Sequence, residues 1–311
     1  MTGIVRYKSS MSEEWNAFVE GSKNATFLFN RNYMDYHADR FEDHSLFFIE
    51  KEKIISVVAM NRLENSFISH QGLTYGGFLS GNGMKQEKMD RCFDALLNYA
   101  QQCGISEIVY KTIPYIYHRY PAGEDLHCLF KRGFMLTRRD VMATIDIAML
   151  NDSIRDREQE VQRAKRNNLH VQRSRDLPRY MAIVKALTNK KFNRDPVHTA
   201  EEMMQLAAAF PDNIKLYAAF RNSHMLGGIL IYETATVAHA QYIAADNEGE
   251  QTGAIDLVID YLIYEAYPHK QYLDLGNCAE NDGMQLNNGL MSFKERCGGR
   301  AVAHDFYTFK S

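Results

Sequence analysis

Two stretches of this chain carry one apolar spacing. Met89, Cys92, Phe93, Leu96, Leu97 and Ala100 fall at i, i+3, i+4, i+7, i+8 and i+11, and Ile255, Val258, Ile259, Leu262, Ile263 and Ala266 repeat those intervals 166 positions later. The spacing predicts two amphipathic helices, each with one buried face. Short β-branched and aromatic runs precede both. In the first half these are Leu46–Glu50, Ile54–Met60 and Ser66–Ser69; in the second, Lys215–Phe220, Met225–Tyr232 and Ala238–Ala245. All six predict strands. A short apolar strand follows each helix, at Ile108–Tyr110 and at Leu273–Leu275. A further helical turn then leads to a closing strand, Val141–Ile147 in one half and Ala301–Phe309 in the other.

The order of elements therefore occurs twice, and the register between copies drifts in one direction. Pairing Ile55 with Leu226, Tyr75 with Tyr242, the two helix faces, Tyr110 with Leu275, and Phe130-Lys131 with Phe293-Lys294 gives shifts of 171, 167, 166, 165 and 163. Differences in loop length produce such a drift, whereas unrelated segments would scatter. The reading is a duplicated α/β domain. The boundary is expected near residue 150, with domains at 1–150 and 151–311. The second opens with the charged segment Asn151–Arg179, whose densest part, Arg163–Arg175, has five basic residues and no acid. That segment reads as a solvated helix, or as a patch for phosphate or carboxylate groups.

Composition narrows the function classes. The 311 residues suffice for two ordinary domains, and a 45% hydrophobic fraction allows each a core. A net charge of -3 argues against a DNA-binding protein. Five scattered cysteines without a CxxC pair fit a reducing cytoplasm. The polar stretch from Met1 to Trp15 does not read as a signal peptide, and no apolar run is long enough for membrane insertion. There is no GxxxxGK[ST], HExxH or GxSxG, and Gly81-Asn82-Gly83 lacks the third glycine of a dinucleotide loop. The eleven histidines lack ligand spacing, so no metal is expected.

What remains is a pair of helix endings. Leu129-Phe130-Lys131-Arg132-Gly133-Phe134 and Ser292-Phe293-Lys294-Glu295-Arg296-Cys297-Gly298-Gly299 stand at the same place in each copy. Both resemble the helix ending common in the GNAT acyltransferase superfamily. Leu273-Asp274-Leu275-Gly276, Gly289-Leu290 and the Phe293-Lys294 pair make the chain similar to short relatives of the Fem-type aminoacyl transferases that build peptidoglycan cross-bridges. The resemblance implies an α/β fold class (a mixed α+β sheet) with two tandem acyl-CoA N-acyltransferase-like (GNAT) domains. The long coiled-coil arm of the Fem branch has no counterpart here, since Asn151–Arg179 is too short, which argues against binding a whole transfer RNA.

The resemblance also implies a site. Tyr242-Ile243-Ala244-Ala245 occupies the place where a strand bulge frees backbone amides for a pantetheine arm. Gly249, Thr252, Gly253 and Ala254 occupy the helix start that faces a diphosphate. Asp246, Glu248 and Glu250 crowd that place, against the family pattern. Lys294 is the catalytic candidate, a fixed cation beside a developing oxyanion. Tyr242, as a proton donor or amine-orienting group, and Asp274 stand behind it. His239 on the same strand reads as structural. The expected activity is N-acyl transfer from an activated donor, acyl-CoA as co-substrate foremost, to a small-molecule or peptide amine acceptor. An aminoacyl-tRNA donor and a non-catalytic binding protein are the alternatives.

Overall fold

The computed structural model describes residues 2–150 and 155–311. Asn151–Ile154, with which the charged segment begins, lie outside the described residues. The chain divides into two compact units that interleave in sequence. One comprises Met1–Asp140, Glu280–Gln285 and Ala303–Ser311, the other Val141–Ala279 and Leu286–Val302.

In chain order the first unit contains β1 (Gly3–Arg6), α1 (Ser12–Gly21), α2 (Arg31–Met34), β2 (Glu42–Asp43), β3 (Leu46–Glu50), β4 (Lys53–Val58), β5 (Asn61–Leu63), β6 (Ser66–Ile68), β7 (Phe78–Ser80), α3 (Gln86–Gln102), β8 (Glu107–Lys111) and α4 (Glu124–Lys131). After β9 (Met135–Asp146) the second continues with α5 (Arg155–Arg166), β10 (Leu169–Ser174), α6 (Leu177–Phe192), α7 (Ala200–Ala209), β11 (Ile214–Arg221), β12 (His224–Glu233), β13 (Val237–Ala245), α8 (Asn247–Thr252), α9 (Ala254–Tyr261) and β14 (Tyr272–Asn277). The short β15 (Ala279–Glu280) and β16 (Gln285–Leu286) precede α10 (Asn288–Arg296) and β17 (Arg300–Lys310). Apart from α5 and the short β15 and β16, the stretches β1–β9 and β10–β17 each run strand, helices, antiparallel strands, one or two helices, strand, helix, strand.

The first unit has an antiparallel sheet ordered β1-β3-β4-β7, and strands β17, β8, β6, β5 and β2 are neighbours in that order. Met89, Cys92, Phe93, Leu96 and Ala100 of α3 pack with Leu46, Phe48, Phe78 and Tyr110 into its core. In the second unit the order is β10-β11-β12-β13-β14-β9, and the β13–β14 pair is parallel. Val258, Ile259, Leu262 and Ile263 cover one face of this sheet against Ala238, Ala240, Leu273 and Ile145.

The basic run Arg163–Arg175 is not one helix. Asn168 takes φ +59, α5 stops at Arg166, and the chain returns as β10 beside β11. An asparagine pair tolerates that left-handed turn where a β-branched residue would not. Two helices without a counterpart in the periodicity follow. α6 starts at an Asp176 cap, its carboxylate accepting the Arg179 N–H at 3.1 Å, and α7 at a capping box of Thr199 and Glu202.

Candidate functional site

β13 is straight at neither edge. Along β12, Leu230 faces Tyr242 and Ile231 faces Ala240, so Gln241 is an extra residue on β13, a β-bulge. Along β14 the parallel ladder covers three pairs, Val237–His239 with Tyr272–Asp274. β14 then turns at Gly276, whose φ of +82 suits glycine. Its amide donates to Asp274 Oδ1 at 2.8 Å, and the register with β9 slips between Asp274 and Asn277. A bulge on one strand and a turn on its neighbour end the pairing at His239 and Asp274.

The register there aligns four side chains. Tyr232 faces His239, His239 faces Asp274, and Asp274 faces Thr144. Ala238, Leu273 and Ile145 alternate with them and lie under α9, so the four point to the opposite face. Asp274 is fully buried, and its carboxylate is satisfied on both oxygens. Oδ2 lies 2.8 Å from His239 Nδ1, and Oδ1 accepts from the Thr144 hydroxyl at 3.2 Å. The His239 side chain is 13% exposed. The structure thus joins two residues that sequence reasoning had kept apart, a site candidate and a histidine read as structural. Their partnership needs the parallel register of two strands 35 positions apart, which no local spacing encodes.

Lys294 approaches from α10. Its ammonium donates to the carbonyls of Gly276 at 2.9 Å and Asn277 at 3.0 Å, and the residue is 4% exposed. Burial lowers its pKa from the ordinary lysine value, with Cys278 and Asp274 acting in the opposite sense. The motif partner Lys131 is 57% exposed and pairs with Asp90 at 3.2 Å. One sequence motif therefore gives a buried cation in the second unit and a solvated one in the first.

Tyr242 lies on the same sheet face as His239, and its hydroxyl is held by the loop before α7. It accepts the His198 N–H at 3.2 Å and lies 2.8 Å from His198 Nδ1. Burial pushes its pKa up to about 12. The Tyr242 carbonyl accepts from the Tyr180 hydroxyl at 2.9 Å. Past Tyr242, Ile243 packs against the α9 core, and Ala244 and Ala245 are buried.

Asp246 caps α8, its Oδ1 accepting the Gly249 N–H at 2.8 Å. Glu248 and Glu250 of this loop are matched by cations. Arg221 pairs with Glu248, Lys191 and Lys190 reach Glu250 at 3.9 and 4.0 Å, and Lys190 also donates to Asn247 at 2.9 Å. Gly249 is required by close approach, because a Cβ there would lie 2.3 Å from the Leu226 carbonyl. Thr252 donates to the Glu248 carbonyl at 2.8 Å, Gly253 joins α8 to α9 at φ +78, and Ala254 is fully buried. A cleft of ≈ 280 Å³ runs beside this loop, floored by Ala182, Ile183, Ala186 and Leu187 of α6 and edged by Lys190 and Glu250.

Among the described residues no group of three His, Cys, Asp or Glu side chains could hold a metal ion, and no helix is long and apolar enough to cross a membrane.

Residues 151–281 match the family model of the acetyltransferase (GNAT) domain. No curated protein matches the sequence. Among solved structures, the chain is similar to FemX, with a TM-score of 0.69 at 12% identity over 99% of this chain and 97% of that one. L-PGS from Bacillus licheniformis gives 0.60 at 12% identity, with coverage of 96% and 91%. A tandem GNAT protein from the clavulanic acid biosynthesis pathway gives 0.53 at 10% identity, covering 100% and 98%. The fold is that of GNAT acyltransferases, in its tandem form.

Proposed function

We propose that this chain is an N-acyltransferase and that its second unit carries the reaction, where β13 and β14 part. The amine of a peptide, amino sugar or cell-wall precursor attacks the acyl carbonyl of an activated donor, and the donor is an acyl-CoA. The observation that carries this reading is the three-pair parallel ladder ended by the Gln241 bulge and the Gly276 turn. Strands that stop pairing leave backbone amides and carbonyls without ladder partners, and an extended thioester arm can take up such groups. Support comes also from the GNAT match over 151–281. In this reading the edge Ile243–Ala245 receives the arm, and Gly249–Ala254 lies beside the diphosphate. Lys294 holds the β14 turn and lends positive charge to an oxyanion formed next to it.

A second reading keeps the chemistry and replaces the thioester by an aminoacyl ester of a transfer RNA. Asp246 favours it. Its carboxylate already occupies the Gly249 amide in the first turn of α8, where a diphosphate would compete with it. Incubation of the full chain with acyl-CoAs and primary amines, followed by free-thiol detection, decides. Amine-dependent thiol release supports the first reading. Consumption of aminoacyl-tRNA without thiol release moves the protein to the second, and tRNA binding should then weaken steeply with salt. Neither reaction, with no shift of melting temperature by any donor, would leave a binding protein on a transferase fold.

A further inference from the structure

We infer that His239 is the proton acceptor for the attacking amine and that Asp274, itself fixed by Thr144, is its positioning residue. The inference rests on the acyl-transfer reading. Three adjacent strands place Thr144, Asp274 and His239 side by side in register, and the hydrogen bonds run Thr144 Oγ1 to Asp274 Oδ1 and Asp274 Oδ2 to His239 Nδ1. A fully buried carboxylate against Nδ1 fixes the ring's orientation and leaves Nε2 as the nitrogen that would face a substrate. The ring stands at the last pair of the β13–β14 ladder. Its Cε1 lies 3.7 Å from where a Cβ on Gly276 would be, so the imidazole lies directly beside the β14 turn. Acyl transfer to an amine needs a proton acceptor beside the nitrogen, and this histidine stands where β13 and β14 stop pairing, the place proposed for the reaction.

The step balances. The amine nitrogen forms a bond to the acyl carbon, and its surplus proton passes to His239 Nε2. The bond from acyl carbon to sulfur breaks, and the same proton moves from the imidazolium to the departing thiolate, giving thiol and amide.

Other groups that exchange or carry charge on this sheet face are Tyr232 from β12, Tyr180 from α6, Tyr242 with His198, and Glu202 from α7, which acts on Tyr242. Lys294 on α10 and Cys278 at the end of β14 interact electrostatically with Asp274. Burial pushes Tyr180 and Tyr242 up, away from neutrality.

The test is thiol release by the full-length protein, His239→Gln, His239→Ala and Asp274→Asn across pH, with melting temperatures as a folding control. The expected result is a kcat loss of roughly 10²–10⁴-fold for His239→Gln with acceptor KM within about twofold. The acid limb of the wild-type profile should vanish with it. Free imidazole should restore part of the turnover of His239→Ala, and Asp274→Asn should fall between wild type and His239→Gln. Wild-type turnover and an unchanged pH profile in His239→Gln would overturn the assignment while leaving acyl transfer in place. Absence of thiol release from the wild-type protein with every donor and amine would overturn the acyl-CoA reading and the proton acceptor with it.

Discussion

In the first unit the Tyr110 hydroxyl accepts the backbone N–H of Phe78 at 2.8 Å, tying β8 to β7. Tyr110 holds the position of Leu275 in the repeat, next to the turn at Gly276. The same hydroxyl donates to Asp125 Oδ2 at 2.7 Å, and all three residues are buried. A strand-edge amide of the kind that the second unit would offer to a donor is here consumed by a side chain. Tyr110→Phe should therefore cost about 1–3 kcal/mol, the penalty for leaving buried polar groups unmade, and should leave turnover unchanged. Urea unfolding alongside thiol release checks both halves. Turnover falling in step with the hydroxyl's removal would assign chemistry to the first unit.

Asp125 makes that unit sensitive to pH. Burial raises its pKa from 3.8 to about 6, against the opposing effect of the Tyr110 hydroxyl. A carboxyl raised on folding binds its proton more tightly in the native state. Its contribution is fully present below about pH 4 and is lost as pH rises through about 6. The change is on the order of 3 kcal/mol. Asp125→Asn should flatten the fall in stability between those pH values and raise stability near neutrality relative to wild type. Denaturant titrations at several pH values measure this, and parallel wild-type and variant curves would disprove it.

Lys294 and Lys131 test whether burial separates two copies of one motif. Lys294→Met removes the donor to the Gly276 and Asn277 carbonyls, and should cost about 1–3 kcal/mol in stability. Turnover should drop by roughly 10²–10³-fold with little change in acceptor KM. Lys131→Met loses an exposed pair with Asp90 and should stay within about 0.5 kcal/mol of wild type, with full activity. Lys294→Met at wild-type turnover would remove this lysine from the mechanism.

Periodicity carried the scaffold well because its information is local. The face Met89–Ala100 is the buried face of α3, and Val258, Ile259, Leu262 and Ile263 are buried on α9 and the turn that continues it. The duplicated order of elements is likewise visible in spacing alone. The return of Ala303–Ser311 to the first unit is not, because strand pairing over that sequence distance leaves no mark on either segment. α6 and α7 escaped because their apolar positions are diluted by lysines and glutamates, and their caps, at Asp176 and Thr199, carry the signal instead. At the site, Lys294 and Asp274 stood out by motif. His239 did not, since a histidine's role depends on which side chain the register sets beside it.

The acidic loop offers the sharpest test of the donor. Three carboxylates near a diphosphate position would oppose binding if they were uncompensated, yet Arg221 answers Glu248 and the Lys190–Lys191 pair answers Glu250. Asp246 is different, because its Oδ1 is spent on the Gly249 amide of α8 itself. Removing it in Asp246→Ala should cost about 1 kcal/mol as a lost cap. It should also free that amide and delete one negative charge, so coenzyme A should bind more tightly by severalfold, with the gain shrinking as salt is added. Asp246→Asn keeps a capping oxygen without the charge and should give a smaller gain at little cost in stability. Calorimetric titration of coenzyme A at two ionic strengths reads the effect. Equal affinity for all three proteins would mean that the diphosphate does not approach this helix, and the donor would then have to be sought elsewhere.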